Sequence, residues 1–230
     1  MICINIRSAA RLVAVLILTA ILSPHTLVAA ANPVSEQICD TAADYALGSE
    51  DYPQAIRLHR QVLQADPGNA LAHYHLGFAY RMTGRRSDEL REYLQAARLG
   101  LKQWDLFLNL GLAYLEQGDL PGSIDSLKQA AALGPGHSEV HFNLGLAYER
   151  AGKLADALHE MSRSVDLAPR DPDSRNMRAT ILAELGDYVQ AREQWARLEQ
   201  DMPNYAPARA NLALLEKNCA MQGLLSQASK

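Results

Sequence analysis

Leu110-Gly111-Leu112-Ala113-Tyr114 is the stretch that decides the fold of this chain, because near copies of it stand 34 residues away on either side. The copies are Leu76-Gly77-Phe78-Ala79-Tyr80 and Leu144-Gly145-Leu146-Ala147-Tyr148. A fixed period of roughly 20–50 residues is typical of chains built from stacked structural units. Such a unit buries its apolar faces against its neighbours. We therefore predict a repeat array rather than one central core.

Three further columns of residues keep the 34-residue step. Glycine recurs at Gly84, Gly118, Gly152 and Gly186. Proline recurs at Pro67, Pro135, Pro169 and Pro203, with Leu101 in the missing place. A mostly small residue recurs at Ala55, Glu89, Ser123, Ala157 and Ala191. Apolar residues three and four apart predict one helix before each glycine and a second helix before each proline. Asp171, two residues after Pro169, is the predicted N-cap of the next helix.

Together these columns resemble the tetratricopeptide repeat family, whose signature is L-G-x-x-Y followed by a small residue, an aromatic residue and a proline. The resemblance covers about residues 36–218 and implies an all-α, right-handed α-solenoid of stacked helix hairpins. The implied units are residues 36–69, 70–103, 104–137, 138–171 and 172–205, then a capping helix at 206–218 and a flexible tail at 219–230. The first unit is divergent, because Ala42, Ala43 and Ala46 replace the leucine, glycine and tyrosine.

Residues 1–31 differ from the rest of the chain. Two arginines are their only charges, an apolar run covers residues 12–22, and Val28-Ala29-Ala30-Ala31 offers small residues for cleavage. These are the three parts of a secretory signal peptide. We therefore expect an exported protein, periplasmic if the organism is bacterial. The alternative is an uncleaved membrane anchor, in which residues 25–31 lengthen an apolar run that alone spans about half of a bilayer core.

The composition excludes several classes of protein. With 48% hydrophobic residues the chain is too apolar to be disordered, and with 21% charged residues it is too polar for a polytopic membrane protein. The formal charge of −4 becomes −6 once residues 1–31 and their two arginines are removed. Because a negative chain is not attracted to phosphate backbones or anionic lipids, we expect no nucleic-acid partner. We also expect no stable membrane span after signal cleavage.

No pattern in the sequence predicts catalysis. Cys39 and Cys219 fall at opposite ends of the array, too far apart for a disulfide, and Cys39 is predicted to be a small buried apolar residue. His137 and His141 stand four apart, which suits two ligands on one helical face, but the repeat offers no third ligand. We therefore assign no catalytic, cofactor-binding or metal-ligating residue and expect a protein that is not an enzyme.

The family resemblance implies a binding groove, since the first helix of each repeat lines the concave face where partners commonly bind. The apolar ladder on that face is implied to be Tyr74, Phe78, Leu108, Leu112, Phe142 and Leu146, continued by Asn176 and Thr180. Expected hydrogen-bonding partners of an extended ligand are Asn109, Asn143 and Asn211. Candidates for an acidic rim are Asp105, Glu116, Glu139, Glu149 and Asp173. Two alternatives stay open: the protein's own termini cover the ladder, or the ladder is packing between helices.

An apolar floor beside an acidic edge suits an amphipathic helix or extended segment with basic residues. We therefore predict a non-catalytic scaffold or adaptor of the cell envelope that binds a protein or peptide ligand, amphipathic and basic, in its groove. By analogy with exported repeat proteins, it acts in assembly of a pilus, a secretion machine or another envelope complex. The alternative is a self-associating structural protein, a homo-oligomer with an occluded groove.

Overall fold

Helices packed on their chain neighbours make up the part of the protein that the computed structural model describes, residues 39–228, with side chains to residue 218. The eleven helices in this range are α1 Thr41–Gly48, α2 Tyr52–Ala65, α3 Ala70–Met82, α4 Arg86–Arg98, α5 Trp104–Gln117, α6 Leu120–Leu133, α7 Ser138–Arg150, α8 Leu154–Leu167, α9 Pro172–Glu184, α10 Tyr188–Asp201 and α11 Ala206–Ala228. No strand occurs in the same range. The predicted all-α repeat fold is confirmed.

The described residues divide into two compact units, the N-terminal unit of residues 39–147 and the C-terminal unit of residues 148–228. In the N-terminal unit, the six helices α1 to α6 pack on one another in chain order. In the C-terminal unit, α8, α9, α10 and α11 pack in the same sequential manner. Across the range that the structure describes, no helix combines the length and the apolar character needed to cross a membrane. The predicted signal peptide lies outside this range.

Local chemistry explains where the helices begin and end. Asp171 accepts a hydrogen bond from the backbone N–H of Ser174 at 2.9 Å, so the N-cap prediction is confirmed. The same arrangement precedes α2, α6 and α10, with Asp51, Asp119 and Asp187. At the opposite ends, the four glycines of the glycine column have φ between 71° and 88°. This left-handed region is strained for other residues, which explains why glycine recurs there.

Glycines in the repeated pentapeptide allow paired helices to approach closely. A Cβ added at Gly77 on α3 would lie 2.6 Å from the ring of Tyr93 on α4. At Gly111 on α5 it would lie 2.5 Å from Cγ of Leu127 on α6. Both neighbouring side chains are fully buried. The glycines therefore remove the side-chain volume that would separate each pair of helices.

Helix α11 closes the C-terminal unit by packing on α10. Its Ala208 and Leu215 join a buried cluster around Trp195. The helix continues to Ala228, so residues 219–228, predicted as a flexible tail, are helical in this structure. The repeat pattern ends at 218, but the alanine, leucine, methionine and glutamine that follow favour a helix without it.

Candidate functional site

The predicted apolar ladder is part of the core in this structure. The buried members, none more than 7% exposed, are Tyr74, Phe78, Leu108, Leu112 and Phe142, and Leu146 is half-buried. Tyr74 shows the physical reason, because its ring lies 5.9 Å from that of Tyr93 and its hydroxyl donates to Asp105 at 3.0 Å. The expectation of a ladder open to a ligand is corrected, and packing between helices is the interpretation that the structure supports.

The asparagines predicted to bind a ligand backbone are likewise engaged inside the fold. Asn109 Nδ2 donates to the Tyr74 hydroxyl at 3.2 Å, so this hydrogen bond joins the first helices of two neighbouring repeats. Asn143 Nδ2 donates to the backbone carbonyl of Glu139 at 2.7 Å. Both asparagines are fully buried. The Nδ2 groups therefore make contacts within the fold, and the Oδ1 atoms are buried without a hydrogen-bond partner among the described residues. Neither side chain is exposed to a partner, which corrects their predicted role.

Asn176, expected on the concave face, is the centre of a hydrogen-bonded junction in the C-terminal unit. Its Oδ1 accepts from Trp195 Nε1 and from Asn211 Nδ2, both at 3.0 Å. The three side chains come from α9, α10 and α11 and are all buried. Thr180 Oγ1 donates to the Asn176 carbonyl at 3.0 Å. This junction holds three consecutive helices together, and its hydrogen-bonding groups are not presented to a ligand.

Three members of the predicted acidic rim have hydrogen-bonding or charged neighbours. Asp105 accepts a hydrogen bond from the Tyr74 hydroxyl at 3.0 Å, and Asp173 accepts one from the Tyr205 hydroxyl at 2.7 Å. Glu139 lies 3.5 Å from the His137 ring. Asp105 is also buried, and this burial raises the pKa of its carboxyl. We conclude that these carboxylates mainly serve contacts within the fold.

Glu116 belongs to a network of charges in the N-terminal unit. It lies 3.3 Å from Arg81 and 2.9 Å from Arg86. The same arginines lie 3.1 and 3.3 Å from Glu89, which occupies a column of small residues and is fully buried. Two arginines thus compensate two carboxylates, which explains how Glu89 is tolerated inside the fold. Glu116 is therefore paired with the two arginines and is not a free charge on the predicted acidic rim.

Glu149 and Glu184 form a carboxylate pair in the C-terminal unit. Burial, and then the nearby charge of Glu149, raise the pKa of Glu184 to about 7. Burial also raises the pKa of Glu149, against the opposing effect of Arg150. Glu184 Oε1 is buried and has no hydrogen-bond partner among the described residues. The carboxylate pair is therefore a partly desolvated site that favours a proton or a cation.

Glu149 is a predicted rim residue, whereas Glu184 was not predicted from the sequence. The two residues are 35 positions apart, one more than the repeat, so the column pattern does not pair them. Glu184 shares its column with Glu116 and Arg150. A charged residue in three successive units was the signal that could have identified this position.

Glu184→Gln is expected to stabilise the protein at pH 8 by on the order of 1–3 kcal/mol and to have little effect near pH 5. Because the pKa of Glu184 is raised to about 7, the folded state keeps a proton that the unfolded state loses at about pH 4.3. Stability therefore falls as the pH rises from about 4.3 to 7, and the uncharged amide avoids this loss. Urea unfolding at both pH values measures the difference.

Glu193→Gln on α10 is the matched control, because Glu193 is an exposed glutamate paired with Arg197. We expect it to change stability by less than about 0.5 kcal/mol at either pH. The assignment of the raised pKa would be wrong if Glu184→Gln and wild type showed the same dependence of stability on pH.

A second polar cluster lies in the N-terminal unit, where the sequence pattern predicts no metal ligand. It comprises Cys39, Asp44, His59 and His75. Cys39 is half-buried just before α1, and its Sγ donates to Asp44 Oδ1 at 3.2 Å and lies 3.6 Å from His75 Nδ1. This corrects the prediction of Cys39 as an apolar core residue. The cluster is hidden in the sequence because its members are 5, 15 and 16 positions apart, without a recognisable spacing.

The two histidines considered in the sequence as a pair have separate neighbours. The His137 ring stacks on Trp104 with 3.7 Å between centroids. His141 Nε2 donates to the Pro135 carbonyl at 3.1 Å. Each ring is therefore held by its own packing or hydrogen bond, and the cluster around Cys39 is the better candidate for a cation.

Comparison with protein families gives matches to tetratricopeptide repeat models. One model matches residues 108–172 and again residues 142–207, and a second matches residues 46–88. Together these matches cover more than half of the chain. A comparison with curated proteins finds no significant match.

Several solved structures share the fold. A crystal structure of MamA is 22% identical, with a TM-score of 0.66, and the match covers 72% of this chain and 90% of MamA. MamA from Desulfovibrio magneticus RS-1 is 17% identical, with a TM-score of 0.64 and coverage of 69% and 89%. YrrB, described as a TPR protein with an unusual peptide-binding site, is 20% identical, with a TM-score of 0.69 and coverage of 80% and 97%. At these identities the likeness establishes the fold.

Proposed function

Because this chain belongs to the tetratricopeptide repeat family, we propose that it is a protein-interaction scaffold that binds a basic peptide or helix through the carboxylate pair Glu149 and Glu184. The observation that carries the proposal is the environment of Glu184, a buried carboxylate oxygen without a hydrogen-bond partner in the described part of the chain and a second carboxylate nearby. A site of this kind favours a positively charged ligand.

A lysine or arginine side chain would complete the carboxylate pair. It would donate to Glu184 Oε1 and stabilise the ionised form of both carboxyls. Binding would then lower the pKa of Glu184, so affinity would rise as the pH increases through about 7. A partly buried ion pair contributes to affinity when hydrogen bonds complete it, and the negative charge of the whole chain attracts a basic partner at longer range.

A peptide ligand is also supported by the fold. YrrB, which is similar to this chain, is described as having an unusual peptide-binding site. Since the apolar ladder is buried here, we assign the decisive contacts of the ligand to the carboxylate pair. Apolar residues of an amphipathic ligand would cover the surface around it.

The predicted signal peptide supports a site of action outside the cytoplasm. The scaffold would act in the cell envelope, in the periplasm if the organism is bacterial, during assembly of a pilus, a secretion machine or another envelope complex. Sequencing the N-terminus of the purified protein should give a chain that begins after Ala30 or Ala31. A chain that still begins at Met1 would contradict export with cleavage.

Fluorescence anisotropy with two labelled amphipathic peptides tests the binding proposal. One peptide is built from leucine and arginine, and in the other glutamine replaces every arginine. We expect the arginine peptide to bind at least about tenfold more tightly, with an affinity that rises between about pH 6 and pH 8. The preference should disappear in Glu149→Gln/Glu184→Gln and persist in the control Glu193→Gln. Equal binding of the arginine peptide to the double variant and the wild type would overturn the proposal. A protein that forms a stable dimer in light scattering and binds neither peptide would instead favour the self-associating alternative.

A further inference from the structure

We propose that Cys39, Asp44, His59 and His75 form a structural binding site for a zinc-class divalent cation. Their four ligand atoms, Sγ, Oδ1, Nε2 and Nδ1 respectively, all lie within 4.8 Å of one another. Five of the separations are 2.8 Å for Asp44–His75, 3.2 Å for Cys39–Asp44 and for Asp44–His59, 3.3 Å for His59–His75 and 3.6 Å for Cys39–His75. A tetrahedral zinc site, with bonds of about 2.3 Å to sulfur and 2.0–2.1 Å to nitrogen, has edges of about 3.3–3.6 Å. A cation therefore fits between these atoms with small side-chain rotations.

The hydrogen bonds of His59 leave a lone pair directed into the cluster. His59 is fully buried, and its Nδ1 lies 2.9 Å from the backbone carbonyl oxygen of Ala55. Because a carbonyl accepts and cannot donate, Nδ1 carries the proton, and the neutral ring has its lone pair at Nε2. Nε2 lies 3.2 Å from the carboxylate oxygen of Asp44, so a cation between them would receive a lone pair from each. Metal-bound histidines commonly donate their other N–H to a backbone carbonyl in this way.

The carboxylate of Asp44 is oriented in a matching way. Its Oδ2 accepts hydrogen bonds from the backbone N–H groups of Cys39 and Asp40, at 2.8 and 3.3 Å. Oδ1 therefore faces the cluster. Without a cation, the Nδ1–H of His75 donates a hydrogen bond to Oδ1 at 2.8 Å. A cation bound at Nδ1 requires the neutral His75 ring to carry its proton at Nε2. Binding also releases the thiol proton of Cys39 to solvent, which leaves one thiolate, one carboxylate and two neutral imidazoles around a divalent ion.

This set of ligands distinguishes between cations. Mg²⁺ and Ca²⁺ prefer shells of oxygen atoms, whereas Zn²⁺ takes sulfur, nitrogen and carboxylate oxygen in a tetrahedron. Four protein ligands leave no position open for a substrate. Since His59 and His75 are also buried, the site fits a structural role rather than a catalytic one.

The position of the site explains an irregularity of the first repeat. Helix α1 has 8 residues and alanines in place of the leucine, glycine and tyrosine of the signature. Cys39 precedes α1, and the other three ligands lie on α1, α2 and α3. A cation would hold these three helices together where the signature side chains are missing. Its binding free energy would then contribute directly to folding of this repeat.

Titration of the full chain with Zn²⁺ and Co²⁺ tests the site. After treatment with a chelator, we expect the protein to bind one Zn²⁺ in competition with a chromophoric chelator. Co²⁺ should produce a thiolate-to-metal charge-transfer absorption and the visible bands of a tetrahedral ion. Cys39→Ser and His59→Gln should each weaken Zn²⁺ binding by at least about 100-fold, because each removes a ligand. Zn²⁺ should raise the Tm of the wild type but not of Cys39→Ser.

His73→Gln is the matched control, since His73 lies on α3 two residues from His75 but pairs with Glu92 at 2.7 Å. It should keep both the affinity and the Co²⁺ spectrum. Cys39 lies outside the helices and is half-buried, so Cys39→Ser is expected to fold, and circular dichroism verifies this. The proposal is overturned if the wild type binds no Zn²⁺ in the competition, or if folded Cys39→Ser binds Zn²⁺ as tightly and gives the same Co²⁺ spectrum.

Discussion

Trp195→Ala is expected to lower the free energy of unfolding by about 3–5 kcal/mol, as truncation of a large buried aromatic usually does. Trp195 on α10 is fully buried and lies in a cluster with residues of α9 and α11. Its indole N–H also donates to Asn176 Oδ1 at 3.0 Å, in the junction that includes Asn211. The substitution therefore removes both packing and a buried hydrogen bond. Chemical denaturation followed by circular dichroism measures the loss.

Two further variants separate these contributions. Trp195→Phe keeps most of the ring volume and loses the hydrogen bond, so we expect a smaller cost of about 1–2 kcal/mol. Val189→Ala is the control on the same helix, because Val189 is 79% exposed, and it should change stability by less than about 0.5 kcal/mol. If Trp195→Ala cost no more than Val189→Ala, the described packing around Trp195 would be wrong.

Gly111→Ala is expected to destabilise the protein by about 1–3 kcal/mol, although alanine is the better helix former. The added Cβ would lie 2.5 and 2.9 Å from two side-chain carbons of Leu127 and 3.3 Å from the backbone oxygen of Ser123. Leu127 is fully buried and has little room to move, so α5 and α6 must separate. The Tm from thermal unfolding measures the cost.

Gly136→Ala is the control for this substitution. Gly136 lies in the connection between α6 and α7, and nothing stands within 4 Å of a Cβ added there. We expect a change of less than about 0.5 kcal/mol. A Gly111→Ala variant as stable as Gly136→Ala would show that the close approach of α5 and α6 is not required.

The two proposals concern different parts of the protein and fail separately. The carboxylate pair lies in the C-terminal unit, and the cluster around Cys39 lies in the N-terminal unit. Loss of peptide binding in Glu149→Gln/Glu184→Gln would not affect Zn²⁺ binding. Loss of Zn²⁺ in Cys39→Ser would destabilise the first repeat and leave the carboxylate pair unchanged.

The register of the helices was predictable because it depends on local chemistry. Glycines with positive φ and an aspartate N-cap act through neighbouring backbone atoms, so their spacing alone places helix ends. The repeated pentapeptide was likewise a correct indication of paired helices, since its central glycine removes a Cβ at each contact.

The candidate site was predicted less well, since exposure is a property of the packed fold. Tyr74 and Leu108 occupy positions that the resemblance assigns to a groove, yet neighbouring helices cover them. Glu116 looked like a free rim charge, but Arg81 and Arg86 reach it from other helices. Neither outcome follows from position within a repeat, because Tyr74 is held partly by Asp105, and Glu116 by Arg81 and Arg86, and each of these contacts joins two repeats.

The sequence by itself determined the all-α repeat fold, the ends of most helices and the family, because these follow from a 34-residue period and from contacts between residues close in the chain. The tertiary structure alone decided which polar groups meet. Glu149 and Glu184 come together across 35 positions, and Cys39 meets His75 across 36. Such groups are brought together by the packing of separate helices, and the energies of their pKa shifts and of cation binding depend on their separation and burial.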